Sequence, residues 1–129
     1  MSLSIIFIAV SGVGKIAAEK QYEAVTLAVK RAIAGVRHQL PKRVDEVTTL
    51  THAYIDPDDD RKVVFVSTLS VTKHDIDRKK WQDLGRKLRD QACADELFKD
   101  SLQHSYLSLL YRYIDRNGQA IGEFLINNC

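Results

Sequence analysis

The tetrapeptide Asp115-Arg116-Asn117-Gly118 constrains this chain more than any other stretch. It separates two runs that read as strands, Tyr106 to Ile114 and Gln119 to Ile126. Asn-Gly tolerates the positive φ angles of a tight reversal, so the two runs should pair as an antiparallel hairpin. A second hairpin lies earlier. Arg43 to Ile55 is rich in Val and Thr and lacks Gly and Pro, the composition of a strand. Asp56-Pro57-Asp58-Asp59-Asp60 is a turn, and Lys62 to Val71 returns as a strand. In the first strand Val47, Thr49, Thr51 and Ala53 share one side, and Leu50, His52 and Tyr54 the other. Alternation alone leaves open which side is buried.

Each hairpin is preceded by helical pattern. Ile16, Tyr22, Val25, Val29, Ile33, Val36 and Leu40 recur at helical spacing in an alanine-rich stretch from Lys15. Pro41 should end that helix, because the residue before a proline is pushed away from helical angles. Ile76, Trp81, Leu84 and Leu88 mark a second helix over Asp75 to Asp90. Gly85 should weaken it by about 1 kcal/mol relative to Ala. A shorter helix follows, about Ala94 to Leu102. The order helix, hairpin, helix, hairpin predicts an α+β domain. Its sheet should be four-stranded and antiparallel, with helices packed on one face.

A chain of 129 residues has room for one such core. Its 45% hydrophobic and 28% charged residues exclude a disordered chain, a collagen-like fibre and a multi-span membrane protein. The formal charge of +2, from 19 basic and 17 acidic side chains, excludes a strong, purely electrostatic choice of partner. The apolar run Leu3 to Val10 is far short of the roughly 20 residues of a spanning helix. No Lys or Arg precedes it, as a secretory signal would require. It reads as a buried strand, the end of a trimmed membrane anchor, or an arm that packs on a partner. Residues 1–14 are therefore set apart from a single domain over 15–129.

Several constellations invite chemistry. Ser11-Gly12-Val13-Gly14-Lys15 has the context of a phosphate loop. The pattern wants Gly where Ala9 stands and a magnesium-binding hydroxyl where Ile16 stands. Asp56, Asp58 and Asp60 have the first spacings of a calcium loop. Arg61 replaces its turn glycine and Ser67 its closing glutamate. His38, His52, His74 and His104 have no helical pair spacing, so no metal site is expected. No cofactor is expected either. The basic residues of the second helix, from Lys73 to Arg89, are interleaved with Asp75, Asp77, Asp83 and Asp90. That mixing fits a solvated face rather than a nucleic-acid platform. Cys93 and Cys129 could form a disulfide in an oxidising compartment, or stay as two free thiols. Cysteine catalysis would need a base, and His104 is the tempting candidate.

Leu40-Pro41, Val44-Asp45 and Thr48 lead into the first hairpin, Cys93 lies in the second helical part, and Tyr111-x-Tyr113 precedes the turn with Asp115 and Gly118. Together with the last strand, Ile121 to Ile126, this pattern resembles small bacterial α+β proteins of unknown function. The resemblance covers Leu40 to Cys129. Many such proteins are anchored or exported through an N-terminal apolar segment. The resemblance implies no catalytic residue.

The leading expectation is a non-enzymatic interaction or accessory domain that self-associates through Ile5, Ile6, Phe7 and Ile8. Protein partners or a small apolar ligand remain open. The alternative is a small-molecule-binding domain, with Trp81, Tyr111 and Tyr113 lining a pocket between helices and sheet. An enzyme with an unrecognised site is the third reading. The compartment, bacterial envelope or cytoplasm, is left open. The thiols report on it directly. In an envelope protein Cys93 and Cys129 should resist alkylation until reduced. Rapid labelling of both in freshly isolated, unreduced protein would place the chain in the cytoplasm.

Overall fold

The computed structural model describes residues 18–129. Helix α1, Ala18–Arg37, buries Val29 and Ile33 four residues apart on one face. It ends three residues before Leu40, and Leu40 and Val36 also pack on the core.

The stretch expected as one strand from Arg43 is two. Strand β1 is Lys42–Arg43 and β2 is Thr48–Ile55. They pair antiparallel, Lys42 opposite Leu50 and Arg43 opposite Thr49. Asp45 makes the reversal between them. Its Oδ1 accepts from the N–H groups of Val47 and Thr48, each at 2.8 Å, an Asx turn needing neither Gly nor Pro. Strand β3, Lys62–Leu69, pairs antiparallel with β2. A bulge interrupts the register between Leu50 and His52. Thr51 is the extra residue, and its hydroxyl donates to the Val66 carbonyl at 3.0 Å. The bulge lets Leu50 and Ala53, an odd spacing apart, bury in the same core. It is also why the alternation could not say which side of β2 is inside.

After a 3₁₀ turn at Lys73–Asp75 come α2, Arg78–Ala94, and α3, Glu96–Gln103. Asp77 caps α2 by accepting from the Lys79 N–H at 2.8 Å. Strands β4, Ser108–Ile114, and β5, Ala120–Ile126, form the second hairpin. The Asp115 N–H donates to the Gln119 carbonyl, and the Gly118 N–H to that of Asp115. Within this reversal Gly118 alone has a positive φ, 81°. The reversal is thus a three-residue loop closed by a left-handed glycine, and Asn117 does not share that conformation.

The α+β class stands, but the sheet has five strands, in the order β1-β2-β3-β4-β5. It is mixed, because β3 and β4 run parallel. Two antiparallel hairpins were expected to join antiparallel. The α2–α3 crossover instead carries the chain back before β4 begins, and a helical crossover of that kind yields a parallel pair. All three helices pack on one face. Ile33, Leu84, Leu88, Phe98 and Leu102 meet Phe65, Leu109 and Ile126 there. Val64, Val66 and Leu110 form a smaller cluster with Tyr54 and Ile114.

Helix α2 meets β5 through aromatic rings. The Trp81 and Phe124 rings lie 4.3 Å apart, and Tyr113 meets Trp81 edge-on at 5.7 Å. A Cβ at Gly122 would sit 2.8 Å from the Trp81 ring, and one at Gly85 would sit 2.5 Å from the Phe124 ring. Each glycine is the recess that receives the opposite element's ring. Gly122→Ala should therefore cost about 1–3 kcal/mol in urea unfolding. Helix propensity alone says Gly85→Ala should stabilise by about 1 kcal/mol. Packing reverses that sign, so the substitution destabilises the native chain and stabilises the Phe124→Ala variant. A stabilising Gly85→Ala in the native chain would remove this account.

Candidate functional site

Among the described residues a cleft of about 120 Å³ opens at the N-terminal end of α2. Its floor is apolar: Val47, Leu69, Val71, Ile76, Trp81 and Leu84. Its rim carries Asp75, Asp77, Lys80, Asp83 and Lys87. The 3₁₀ turn forms one wall. The Thr72 hydroxyl donates to Asp75 at 2.7 Å. That hydrogen bond is the largest cause holding the Asp75 carboxyl below its ordinary range, with smaller help from the Thr72 N–H, Arg116 and His74. Asp83 pairs with Arg86 one turn along α2.

Asp115 anchors this wall to the distant hairpin. It is 1% exposed. Its Oδ2 accepts from the Lys73 N–H at 3.0 Å, across 42 positions of sequence. Its Oδ1 accepts from Asn117 and Gln119 at 2.9 and 2.8 Å. The Arg116 N–H returns a bond to the Val71 carbonyl at 3.1 Å. Burial pushes the Asp115 carboxyl up, but the three N–H donors and nearby His74 outweigh it and hold it below the ordinary value. Pattern reading took Asp115 only as a turn residue. An Asx-capable residue at a hairpin shoulder was the available signal, but its partner at Lys73 is set by the tertiary fold.

Of the proposed ligand-binding residues, Trp81 lines the cleft and Tyr111 and Tyr113 do not. Tyr111 stacks on Phe65 at 5.1 Å inside the core. Tyr113 lies behind the Trp81 ring. Burial raises both phenol pKa values, which keeps both hydroxyls protonated. The cleft is also below the usual range of small-molecule pockets, roughly 300–1,000 Å³. Cys93 and Cys129 are bonded to each other, 36 positions apart in sequence. Neither is then a thiol nucleophile, and His104 instead stacks on Tyr106 and faces Asp100. Asp56 and Asp59 accept from the Asp58 and Arg61 N–H groups, so two carboxylates of the acidic turn bond to its own backbone. No group of three metal-ligating side chains is gathered among the described residues. Ile5, Ile6, Phe7 and Ile8, and the glycine-rich Ser11 to Lys15, lie outside the described residues.

No family model matches this sequence, and no curated protein matches it. Solved structures do resemble it. A candidate secreted protein from Pseudomonas aeruginosa superposes with a TM-score of 0.64 at 12% identity, covering 87% of this chain and 96% of that one. The pilotin EpsS of the Vibrio vulnificus type 2 secretion system gives 0.64 at 12% identity, over 84% and 93%. The Vibrio cholerae type II secretion pilotin AspS gives 0.59 at 13% identity, over 84% and 94%. These likenesses establish the fold. Among the described residues no helix is long and apolar enough to cross a membrane.

The Asp115 contacts carry a pH signature. A carboxyl whose folded pKa is depressed adds stability above its unfolded value, about 3.9, and loses it as pH falls through the folded value. Thermal melts should be level from neutrality to about pH 5 and fall below about pH 4. Asp115→Asn should melt lower at neutral pH and show a shallower acid limb. Equal acid slopes in the two proteins would take Asp115 out of this role.

Proposed function

We propose that this chain is a non-enzymatic accessory domain of the bacterial envelope, which seats an apolar segment of a protein partner in the cleft beside Trp81. The observation that carries this reading is the cleft itself. It is apolar at the floor, charged at the rim and open to solvent along α2. A groove of that form suits side chains presented by a peptide segment better than an enclosed small molecule. The rim carboxylates already serve local roles: Asp75 with Thr72, Asp77 at the helix cap, and Asp83 with Arg86. Apolar burial against Ile76, Trp81 and Leu84 is then the main binding determinant the cleft offers.

Two further observations support the setting. The fold is shared with two secretion-system pilotins and a candidate secreted protein. The Cys93–Cys129 disulfide fits an oxidising compartment. Trp81 is the single tryptophan of the chain, so its emission reads cleft occupancy directly. Amphipathic helical peptides with a leucine face should shift that emission saturably. The same titration followed by NMR should move the Ile76 and Leu84 methyls and the Trp81 indole. If no such peptide perturbs these groups, or the shifts map elsewhere on the surface, the proposal fails.

A further inference from the structure

The two edges of the sheet are built differently. Strand β1 is two residues long and both are cationic, Lys42 and Arg43. A short, charged edge discourages strand pairing. Strand β5 closes the other side with seven residues, of which Glu123 alone is charged. Its carboxylate accepts from the Arg112 Nε–H on β4 at 3.2 Å, which draws it back over the sheet and away from the free side. Among the described residues no backbone hydrogen bond reaches β5 from outside its hairpin with β4. The N–H and C=O groups along that side are a template for one more strand. The side chains agree. Tyr54, Val64, Leu110 and Leu125 stand opposite one another from β2 to β5, on the face away from the helices. Val64 and Leu110, with a strand on either side, are 1% and 7% exposed, whereas Leu125, with a strand on one side only, is 51% exposed. A further strand with an apolar residue beside Leu125 would complete the row.

We propose that this strand is supplied by residues 3–10 of a second copy of the chain, laid along the free side of β5. That run lies outside the described residues. Its sequence carries no charge, and Ile5, Ile6, Ile8 and Val10 are β-branched, the composition of a strand. An uncharged segment of eight residues matches in length a seven-residue edge with no free charge, and it leaves no ion unpaired. The path within one chain is unfavourable. Helix α1 packs over β2 and α2 over β5. From Ala18, residues 11–17 reach at most about 25 Å. Three strand spacings take about 14 Å of that, and the way round α2, about 10 Å across, takes nearly all the rest. A second copy has no such path to cover, and two copies that exchange these segments close into a two-fold dimer. The inference is independent of the cleft reading, because the cleft lies at the N-terminal end of α2.

Light scattering on the full chain between about 1 and 100 μM should show a monomer–dimer equilibrium. Leu125→Lys changes a half-exposed side chain away from the helices. It should weaken dimerisation about tenfold or more, and so should Ile6→Lys with Ile8→Lys. Both variants should keep the disulfide and the circular dichroism of the native chain. Mixing the two should restore a heterodimer, because one brings an intact segment and the other an intact edge. A native chain that stays monomeric over this range, or a dimer that survives either variant, overturns the proposal. Protection of the β5 amides from exchange in a monomer, lost with Ile6→Lys and Ile8→Lys, would put the segment on its own chain's edge and overturn the second-copy assignment.

Discussion

Trp81, Gly85, Arg89 and Cys93 recur every four residues along one face of α2, and each has its partner on β5 or just beyond it. Trp81 rests over Gly122, Gly85 receives Phe124, Arg89 bonds to Asn128 at 2.9 Å, and Cys93 is linked to Cys129. A helix advances about 6 Å in four residues and a strand nearly 7 Å in two, so the step from Trp81 to Gly85 keeps pace with the step from Gly122 to Phe124. The seam joins an edge strand to the crossover helix. A cross-link spanning 36 positions removes about 4 kcal/mol of freedom from the unfolded chain in the loop-entropy account. The recesses at Gly85 and Gly122 let the rings approach closely enough for the linked end to close.

Much of this architecture could be read in the sequence, and what could not has identifiable causes. The helical repeats of α1 and α2 and both main hairpins follow from local pattern, because their signals are periodic or lie within a few residues. The β1–β2 reversal was hidden because Asp45 builds it with a carboxylate in a run that otherwise looks like uninterrupted strand. The core side of β2 was hidden because a bulge at Thr51 shifts the alternation partway along. The parallel joint of β3 and β4 depends on how the crossover packs, which no local signal encodes. Gly85 looked like a weak point in a helix and is the contact site of an aromatic ring. The site was legible only in part. Trp81 was picked out as an aromatic, but Tyr111 and Tyr113 share an alternation that serves the core equally well. Lys80 and Lys87 were lost in a run of mixed charge, where pairing cannot be told from position alone.

Asp115 connects the seam to the cleft. It closes the β4–β5 hairpin through Asn117 and Gln119, and with its other oxygen it holds the Lys73 N–H at the cleft wall. One carboxylate therefore fixes the shoulder of β5 relative to the 3₁₀ turn. A neutral side chain would satisfy fewer of these donors, and a donor left unbonded in a site 1% exposed is costly. The wall of the cleft inherits its position from a hairpin more than forty residues away.

This arrangement bears on how the cleft would bind. Around α2, the residues of the seam begin at Trp81, and Asp77, Lys80, Leu84 and Lys87 form the adjacent stripe that lines the cleft. Trp81 belongs to both stripes. Its ring is clamped by Phe124 and Tyr113 on the seam side while it contributes to the cleft floor on the other. A ring held in this way loses little freedom when a partner docks, so less of the binding free energy is spent on ordering it. The cleft thus combines an apolar floor, in which the Trp81 ring is clamped from behind, with a rim of exposed charge.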